Sequence, residues 1–289
     1  MWALLAMGTA VLTSLNPIFY KRLLHNSEPV IVVWSVTLVA LPLLGLFAFL
    51  LTPQLPRIDG FFVMAILGAG LLNVAAHVAN ATALKRADAS LVTPLLNFGP
   101  VFTLLLALFF LREVPTASGI LGVLCVLTGA YWLTRTDQHS WLKPLQALST
   151  TPGVLLVLLA GLLWSITLLL EKVAIQHTFP PSPRFTAFVA TSTLVLLLSI
   201  SVLRQGRRVI YPLVKQRWSW LAAGLIAGTA PILGYTAMSL GLVGYVTTLF
   251  KLSSVLTVLW AVLFLGERGF KQRLPAAALM VTGTVLLIV

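Results

Sequence analysis

Long apolar runs separated by short polar connections make up most of this chain. A helix needs about 20 apolar residues to cross the hydrocarbon core of a bilayer, and these runs approach that length. A membrane β-barrel would instead show alternating segments of about ten residues. The pattern predicts ten transmembrane helices, at Trp2–Tyr20, Val30–Leu51, Phe61–Leu84, Ser90–Leu111, Thr116–Leu133, Val154–Glu171, Arg184–Leu203, Trp218–Leu240, Tyr245–Leu265 and Leu274–Val289.

The connections between the runs hold most of the turn-forming and charged residues. The longest connection runs from Arg135 to Gly153 and separates five predicted helices from another five. We therefore expect a first five-helix half at residues 1–135, a connecting loop at 136–152 and a second five-helix half at 153–289.

Composition agrees with a membrane location, because 59% of the residues are hydrophobic and only 9% are charged. A soluble domain averages about 25% charged residues, so much of this surface must face lipid. The net charge of +12 indicates contact with anionic lipid headgroups rather than with nucleic acid. Cys125 is the single cysteine, and no group of residues has metal-ligand spacing, so neither a metal nor another cofactor is expected.

An internal repeat becomes visible when the sequence is shifted by 154 positions. Leu91–Glu113 then overlays Tyr245–Glu267, and ten of the twenty-three aligned residues are identical, including the final glutamate. Because five helices are an odd number, the two halves are predicted to cross the membrane in opposite senses. Such inverted repeats are typical of secondary transporters, whose substrate site lies near the bilayer midplane.

Short motifs within the repeat resemble the drug/metabolite transporter superfamily, and its EamA-type members in particular. The matching residues are Ala83-Leu84, Ala87, Ala89-Ser90, Pro100-Val101-Phe102-Thr103, Leu111-Arg112-Glu113 and, in the second copy, Phe264-Leu265-Gly266-Glu267. The resemblance implies a ten-helix carrier built from two five-helix repeats. Two positions depart from the family pattern: Arg112 replaces the usual glycine, and Ser253-Ser254 stands where the first copy has Gly99-Pro100.

Lys251 lies about six residues into the predicted ninth helix, or roughly 9 Å from its start. Its side chain either extends back toward the headgroups, or lines a cavity with Ser254 and binds an anionic group. The resemblance favours the cavity, because phosphate-handling members of the superfamily have basic residues in this part of the ninth helix. The repeat mate of Lys251 is Asn97, so the two halves differ in charge here.

Asn73, His77 and Asn80 follow the spacing i, i+4, i+7 and share one face of the predicted third helix. Two amides and an imidazole on one stripe either line a cavity or form hydrogen bonds between helices. His77 is also a candidate proton carrier, because histidine titrates near neutral pH. A structural hydrogen bond is the alternative for that side chain.

Four further residues are candidates for the walls of a cavity. Asn16 precedes a proline that can kink the first helix, and Tyr235 could offer a hydroxyl group in the eighth. Trp34 and Trp164 could supply aromatic walls, or pack against lipid.

Acidic residues are nearly absent from the predicted membrane core. Glu113 and Glu267 are expected at helix ends, bound to backbone or basic groups. Glu171, beside Lys172, ends the predicted sixth helix and is a second candidate for proton coupling. Small multidrug pumps of the superfamily use a glutamate in the first helix, which is absent here. Its absence favours an anionic, zwitterionic or neutral solute over a cationic drug.

On these grounds we expect a secondary active or facilitative transporter, an exporter or exchanger, that moves a small polar metabolite by alternating access. An anionic or zwitterionic solute, such as an amino acid or a phosphorylated or carboxylated metabolite, is favoured. A lipid-headgroup flippase on the same fold is an alternative, and an integral-membrane enzyme is a weaker one, because no nucleophile–base pair is present. The expected partners are the solute and the bilayer, and the choice between a monomer and a homodimer stays open.

The distribution of basic residues gives a prediction for orientation in the cell membrane, the inner or plasma membrane. Fourteen of them lie in connections after odd-numbered helices and four in connections after even-numbered helices. The positive-inside rule therefore places both termini outside, whereas analogy with the family places both inside.

Overall fold

The computed structural model describes residues 1–16, 19–20, 23, 27–50, 54–86, 95–134, 152–203, 217–265 and 270–288. In this part of the chain the regular elements are helices, apart from one pair of two-residue strands, β1 at Arg57–Ile58 and β2 at Thr178–Phe179. The helices are α1 Trp2–Thr13, α2 Pro29–Leu50, α3 Gly60–Arg86, α4 Gly99–Leu106, α5 Ala117–Thr134, α6 Pro152–Gln176, α7 Pro183–Leu203, α8 Arg217–Leu240, α9 Val243–Phe250, α10 Leu252–Leu265 and α11 Phe270–Ile288. A π-helical stretch, Ala107–Leu111, extends α4.

Five of the described helices are long and apolar enough to cross a membrane: Pro29–Leu50, Gly60–Asn80, Gly153–Gln176, Pro183–Leu203 and Arg217–Leu240. Four shorter apolar helices accompany them, at Trp2–Thr13, Gly99–Leu111, Ala117–Leu133 and Leu274–Ile288. Large apolar side chains such as Leu50, Met64 and Leu196 are at least 70% exposed. Apolar exposure on this scale fits a lipid environment and would be costly in water. The all-helical membrane class is thus confirmed, while the total of ten spans stays a prediction.

The structure differs from the prediction in four helices, of which the fourth, broken at Asn97 and Phe98, is described with the site below. The α-helix that begins at Trp2 stops at Thr13, because its carbonyl would need an N–H at position 17, which is proline. The predicted ninth helix is interrupted at Lys251, which separates α9 from α10. The sixth helix continues to Gln176, so Glu171 lies inside the helix and not at its end.

The described chain forms two compact units. The first unit comprises Met1–Val74 and Leu170–Leu240, and the second comprises Ala75–Leu169 and Gly241–Val289. Each unit therefore takes residues from both predicted halves of the sequence, and α3 and α6 each contribute to both units. The division of the chain into sequence repeats stays a prediction.

In the first unit, α2 packs against α7 and α8, and α1 packs against α8. The contact between α2 and α7 is antiparallel: Trp34 lies against Ser199, while Gly45 lies against Phe188. Phe188 closes on Gly45 so tightly that a Cβ atom there would lie 3.3 Å from its ring. The missing side chain thus lets these two helices approach closely.

In the second unit, α5 and α11 form the most extensive helix pair, and α9 packs against α4 and α5. A Cβ atom on Gly283 would lie 2.6 Å from the carbonyl oxygen of Gly122, and one on Gly129 would lie 2.7 Å from that of Ala276. The backbones therefore touch at two levels, and the pairing is antiparallel. Small residues allow this approach, as is common where helices pack in membranes.

Candidate functional site

A break in the helix that contains α4 lies at Asn97 and Phe98, just before Gly99 begins α4. Pro100 has no N–H, so the carbonyl of Leu96 loses the donor that a continuous helix would supply. The buried Asn97 side chain donates through Nδ2 to the carbonyl oxygen of Ala130 on α5, at 3.1 Å. The break is therefore held in place by the neighbouring helix.

Lys251 lies at a second break, between α9 and α10. The backbone N–H of Lys251 bonds to the Thr248 carbonyl, and the N–H of Ser254 bonds to the Lys251 carbonyl, both at 3.0 Å. Tight turns of this i→i+3 type replace the α-helical pattern for one turn. No proline is needed for this break, which explains why the sequence did not reveal it.

The Lys251 ammonium group joins the two breaks. Its Nζ atom donates to the carbonyl oxygen of Leu96, at 3.2 Å, which is the carbonyl that Pro100 deprives of its helical donor. The side chain thus points to the protein backbone of the α4 break. Lys251 and its repeat mate Asn97 are therefore brought together, because Asn97 directly follows Leu96.

Helix α6 extends the same polar region through a residue that sequence analysis missed. The Ser165 hydroxyl donates to the carbonyl oxygen of Gly99, at 2.9 Å, and lies near that of Gly161, at 2.8 Å. Gly161 itself faces the ring of Phe102. The only signal in the sequence was a serine beside Trp164 within an apolar run, and such a residue is common in apolar helices.

Trp164 connects this polar region of α6 to α3. Its indole ring makes an edge-to-face contact with the His77 imidazole, with ring centroids 5.4 Å apart and planes at 80°. One turn further along α3, the Oδ1 atom of Asn80 is buried without a hydrogen-bond donor among the described residues. His77 and Trp164 are thus paired, as a shared wall would require.

We call these second-unit residues the polar group: Lys251, Asn97, Ser165, Trp164, His77 and Asn80. Lys251 immediately precedes the N-terminus of α10 and contacts the turn that leads into α4. Helix N-termini carry exposed N–H groups and a partial positive charge, and the ammonium group adds a full one. The region thus combines a cation with a helix N-terminus, two features that favour negative charge.

Glu113 and Tyr245 brace the helices around the polar group. The Glu113 Oε2 atom accepts a hydrogen bond of 2.7 Å from the N–H of Val243, the first residue of α9. This bond confirms the expectation that Glu113 binds backbone at a helix end. The Tyr245 hydroxyl accepts from the N–H of Thr116, at 2.8 Å, just before α5. Glu267 lies outside the described residues.

The first unit contains a separate pair of buried charged side chains on α6. The Glu171 carboxylate is hydrogen-bonded to the Tyr235 hydroxyl of α8, so two predicted site residues meet here. The adjacent Lys172 donates through Nζ to the carbonyl oxygen of Met238, near the end of α8. Both charged residues are only 8% exposed.

The remaining predicted site residues are placed individually. The Trp34 indole N–H donates to the Ser199 hydroxyl, at 2.8 Å, and thus anchors α2 to α7. The Asn16 Oδ1 atom is buried without a donor among the described residues. Asn73 is half-buried in the first unit, while Ser254 is half-buried on α10 in the second. Among the described residues, no group of three or more metal-ligating side chains comes together.

Comparison with known proteins identifies the family. A sequence model described as "EamA-like transporter family" matches residues 1–135 and 151–289. A solved structure described as "Crystal structure of protein" aligns over 100% of this chain and 98% of its own, with 18% identity and a TM-score of 0.78. No curated protein matches the sequence.

The structural similarity shows that the fold is shared, and the two family matches together cover most of the chain. Together with the exposed apolar helices, they identify a multi-pass membrane protein. The chain belongs to the EamA-like transporter family and is a membrane transporter of the drug/metabolite transporter type.

Proposed function

We propose that the protein is a secondary carrier for a small anionic or zwitterionic metabolite, and that the polar group binds the solute. The observation that carries this proposal is the position of Lys251. Its ammonium group lies at the start of α10 and bonds to the freed Leu96 carbonyl at the α4 break. Broken helices whose N-termini face an anionic group of the substrate are a recurring design in secondary transporters.

The other members of the polar group provide different kinds of contact. Asn97 and Ser165 hold the backbone of the break, whereas Trp164 and His77 offer two aromatic rings set edge to face. Asn80 provides an acceptor that is not satisfied within the described residues. A solute that carries both an anionic group and a hydrogen-bond donor would complement this set.

Pairs of contacts related by the repeat support alternating access between inverted halves. Adding 154 to Trp34 gives Phe188, and adding 154 to Gly45 gives Ser199, so the Trp34–Ser199 contact corresponds to the Phe188–Gly45 contact. In the second unit the Gly122–Gly283 contact corresponds in the same way to Ala276–Gly129. Both helix pairs are antiparallel, as expected for two repeats that cross the membrane in opposite senses.

The test is exchange of radiolabelled solutes by the full-length protein in liposomes. The probe set comprises inorganic phosphate, pyruvate, L-alanine and D-glucose, which represent phosphoryl, carboxylate, zwitterionic and neutral solutes. We expect saturable exchange of at least one of the first three and none of glucose. Lys251→Met should lower exchange about 10- to 100-fold, as expected for loss of a hydrogen bond to a charged group.

Lys251→Arg tests whether the charge matters, because it retains a cation and should retain more exchange than Lys251→Met. Arg86→Gln is the matched control: it removes an exposed cation at the end of α3 and should leave exchange unchanged. Normal exchange by Lys251→Met would show that Lys251 has only a structural role, as the hydrogen-bond donor to the Leu96 carbonyl. Movement of fluorescent lipid without exchange of any probe would instead identify a flippase.

A further inference from the structure

Glu171 is a carboxylic acid placed where a membrane protein rarely tolerates one. It lies inside α6, more than a turn before Gln176, and is 8% exposed. Burial of an ionised carboxylate in an apolar environment is expensive unless the charge is paired or neutralised. Acidic residues within membrane helices therefore mark functional positions by default.

The partner of Glu171 is suited to both protonation states. The Tyr235 hydroxyl is hydrogen-bonded to the Glu171 carboxyl group. An ionised carboxylate accepts a hydrogen bond from a phenol, while a neutral acid donates one to the phenol oxygen. The hydrogen bond can therefore reverse its direction when Glu171 gains a proton, and neither side chain needs to move.

The neighbouring cation has a different task. Lys172 donates to the Met238 carbonyl, in the last turn of α8. A positive charge at a helix C-terminus interacts favourably with the helix dipole. Lys172 thus has a structural role at the end of α8, and Glu171 is the member of the pair with a partner that tolerates a change of charge.

The other elements packed around this part of α6 contribute mainly apolar groups. Phe62, Ala65 and Ile66 of α3 pack against Ala174, and Phe185 and Val189 of α7 join the same cluster. Further titratable groups on or beside these elements are Arg184 in the first turn of α7, His177 just after α6 and Asp59 just before α3. His177 and Asp59 bond to each other. Glu171 is therefore the buried acid within this apolar cluster of helices.

We propose that the Glu171–Tyr235 pair is the proton-binding site that couples a proton gradient to solute movement. This inference rests on the proposed carrier function and deepens it. In each cycle the Glu171 carboxyl group binds one proton from the water on one side and releases one proton to the other side. Tyr235 stabilises both forms and is a positioning residue, because it retains its own proton.

The first experiment needs no solute. Infrared difference spectra of the reconstituted full-length protein between acidic and alkaline buffer should show a C=O band of a protonated carboxylic acid. Glu171→Gln should remove this band, and Tyr235→Phe should shift it because the hydrogen bond is lost. Glu28→Gln, which changes an exposed acid before α2, should leave the band unaltered. A titrating band that persists in Glu171→Gln would overturn the proposal.

The second experiment separates coupling from transport. Liposomes with an imposed pH gradient receive whichever of phosphate, pyruvate and L-alanine is exchanged by the unaltered protein. Glu171→Gln should abolish accumulation driven by the gradient, while exchange without a gradient persists. That persistence also shows that the variant is folded.

The two proposals fail in distinguishable ways. Absence of exchange by the unaltered protein with all four probes would count against the carrier function itself. Exchange that is present, together with equal gradient-driven accumulation by Glu171→Gln and the unaltered protein, would overturn only the role of Glu171.

Discussion

Arg112 adopts the left-handed backbone conformation, with φ of 54° and ψ of 30°, directly after the π-helical end of α4. This position is the one at which the EamA-type pattern usually has glycine. A side chain in this region costs roughly 1–2 kcal/mol, because its Cβ atom crowds the following carbonyl. The departure noticed in the sequence is thus a local strain in the structure.

Arg112→Gly is therefore expected to stabilise the protein. Relief of the strain outweighs the conformational entropy of glycine, about 0.5–1 kcal/mol, so a small net gain should remain. The measurement is thermal unfolding in detergent. Arg112→Ala is the control, because it removes the charge but keeps the Cβ atom. An equal gain in both variants would assign the effect to the charge and contradict the strain argument.

Asp59 links two connections outside the membrane-spanning helices. Its Oδ1 atom accepts from the N–H of Phe62, and its Oδ2 atom bonds to His177 Nδ1 at 2.7 Å. These hydrogen bonds, that of Phe62 first, lower the pKa of Asp59 below its ordinary value. The ionised form is thus favoured by folding.

The sign of the resulting pH dependence follows by linkage. The folded protein binds the Asp59 proton less tightly than the unfolded chain, so the stabilisation is present above the ordinary pKa of aspartate. It is lost as the pH falls through the lowered value. The unaltered protein should have a higher unfolding temperature than Asp59→Asn at neutral pH, and this difference in unfolding temperature should shrink in acid. A difference that is constant with pH would refute the ionised hydrogen bond.

The close pairing of α5 and α11 gives a prediction at the level of elements. A methyl group on Gly283 would lie 2.6 Å from a backbone oxygen, which cannot move aside as a flexible side chain can. Gly283→Ala should cost about 1–3 kcal/mol, the usual range for overpacking. The loss would be seen as a lower unfolding temperature in detergent.

Gly161→Ala in α6 is the matched control. The added methyl group would meet the Phe102 ring at 3.7 Å, an ordinary contact. Alanine also favours a helix over glycine by about 1 kcal/mol, so this variant should be neutral or more stable. Equal destabilisation by both variants would show that general helix packing, not backbone contact, limits the α5–α11 pair.

Apolar length was sufficient to predict where most helices lie, because lipid requires each spanning segment to satisfy its own backbone. The starts of α2 and α7, at Pro29 and Pro183, lie within one residue of the predictions. The break at Lys251 was not predicted. No proline precedes it, and its turns are held by contacts with another segment, which no local pattern records.

The candidate site was predicted in part for a similar reason. A charge or an amide within an apolar run is conspicuous, which explains why Lys251, Asn97 and His77 were identified. Ser165 was missed because a hydroxyl in a helix usually bonds to its own preceding turn. Only packing of α6 against α4 gives Ser165 its second acceptor, the Gly99 carbonyl.

At the scale of the whole molecule, the compact units do not coincide with the predicted sequence halves. Each unit combines segments from the two predicted repeats, and the helix pairs α2–α7 and α5–α11 each join helices at corresponding positions of those repeats. Residues 1–135 contain α2 and α5 without α7 and α11, the helices against which they pack. Expression of residues 1–135 by themselves should therefore yield no stable folded protein.

The structure changes the count of basic residues from which the membrane orientation is predicted. The four basic residues after even-numbered helices are Arg57, Arg112, Lys172 and Arg184. Of these, Lys172 is buried in α6 and bonded to the Met238 carbonyl, so it does not count as a charge in a connection. The bias becomes fourteen to three, and the positive-inside rule places the richer side in the cytoplasm. Both termini should then lie outside. A phosphatase that is active only outside the cytoplasm should be active when it is fused after Val289. A fluorescent protein that folds only in the cytoplasm should be dark at the same position. A bright fusion with an inactive phosphatase would show that the family analogy, termini inside, is the better guide for this chain.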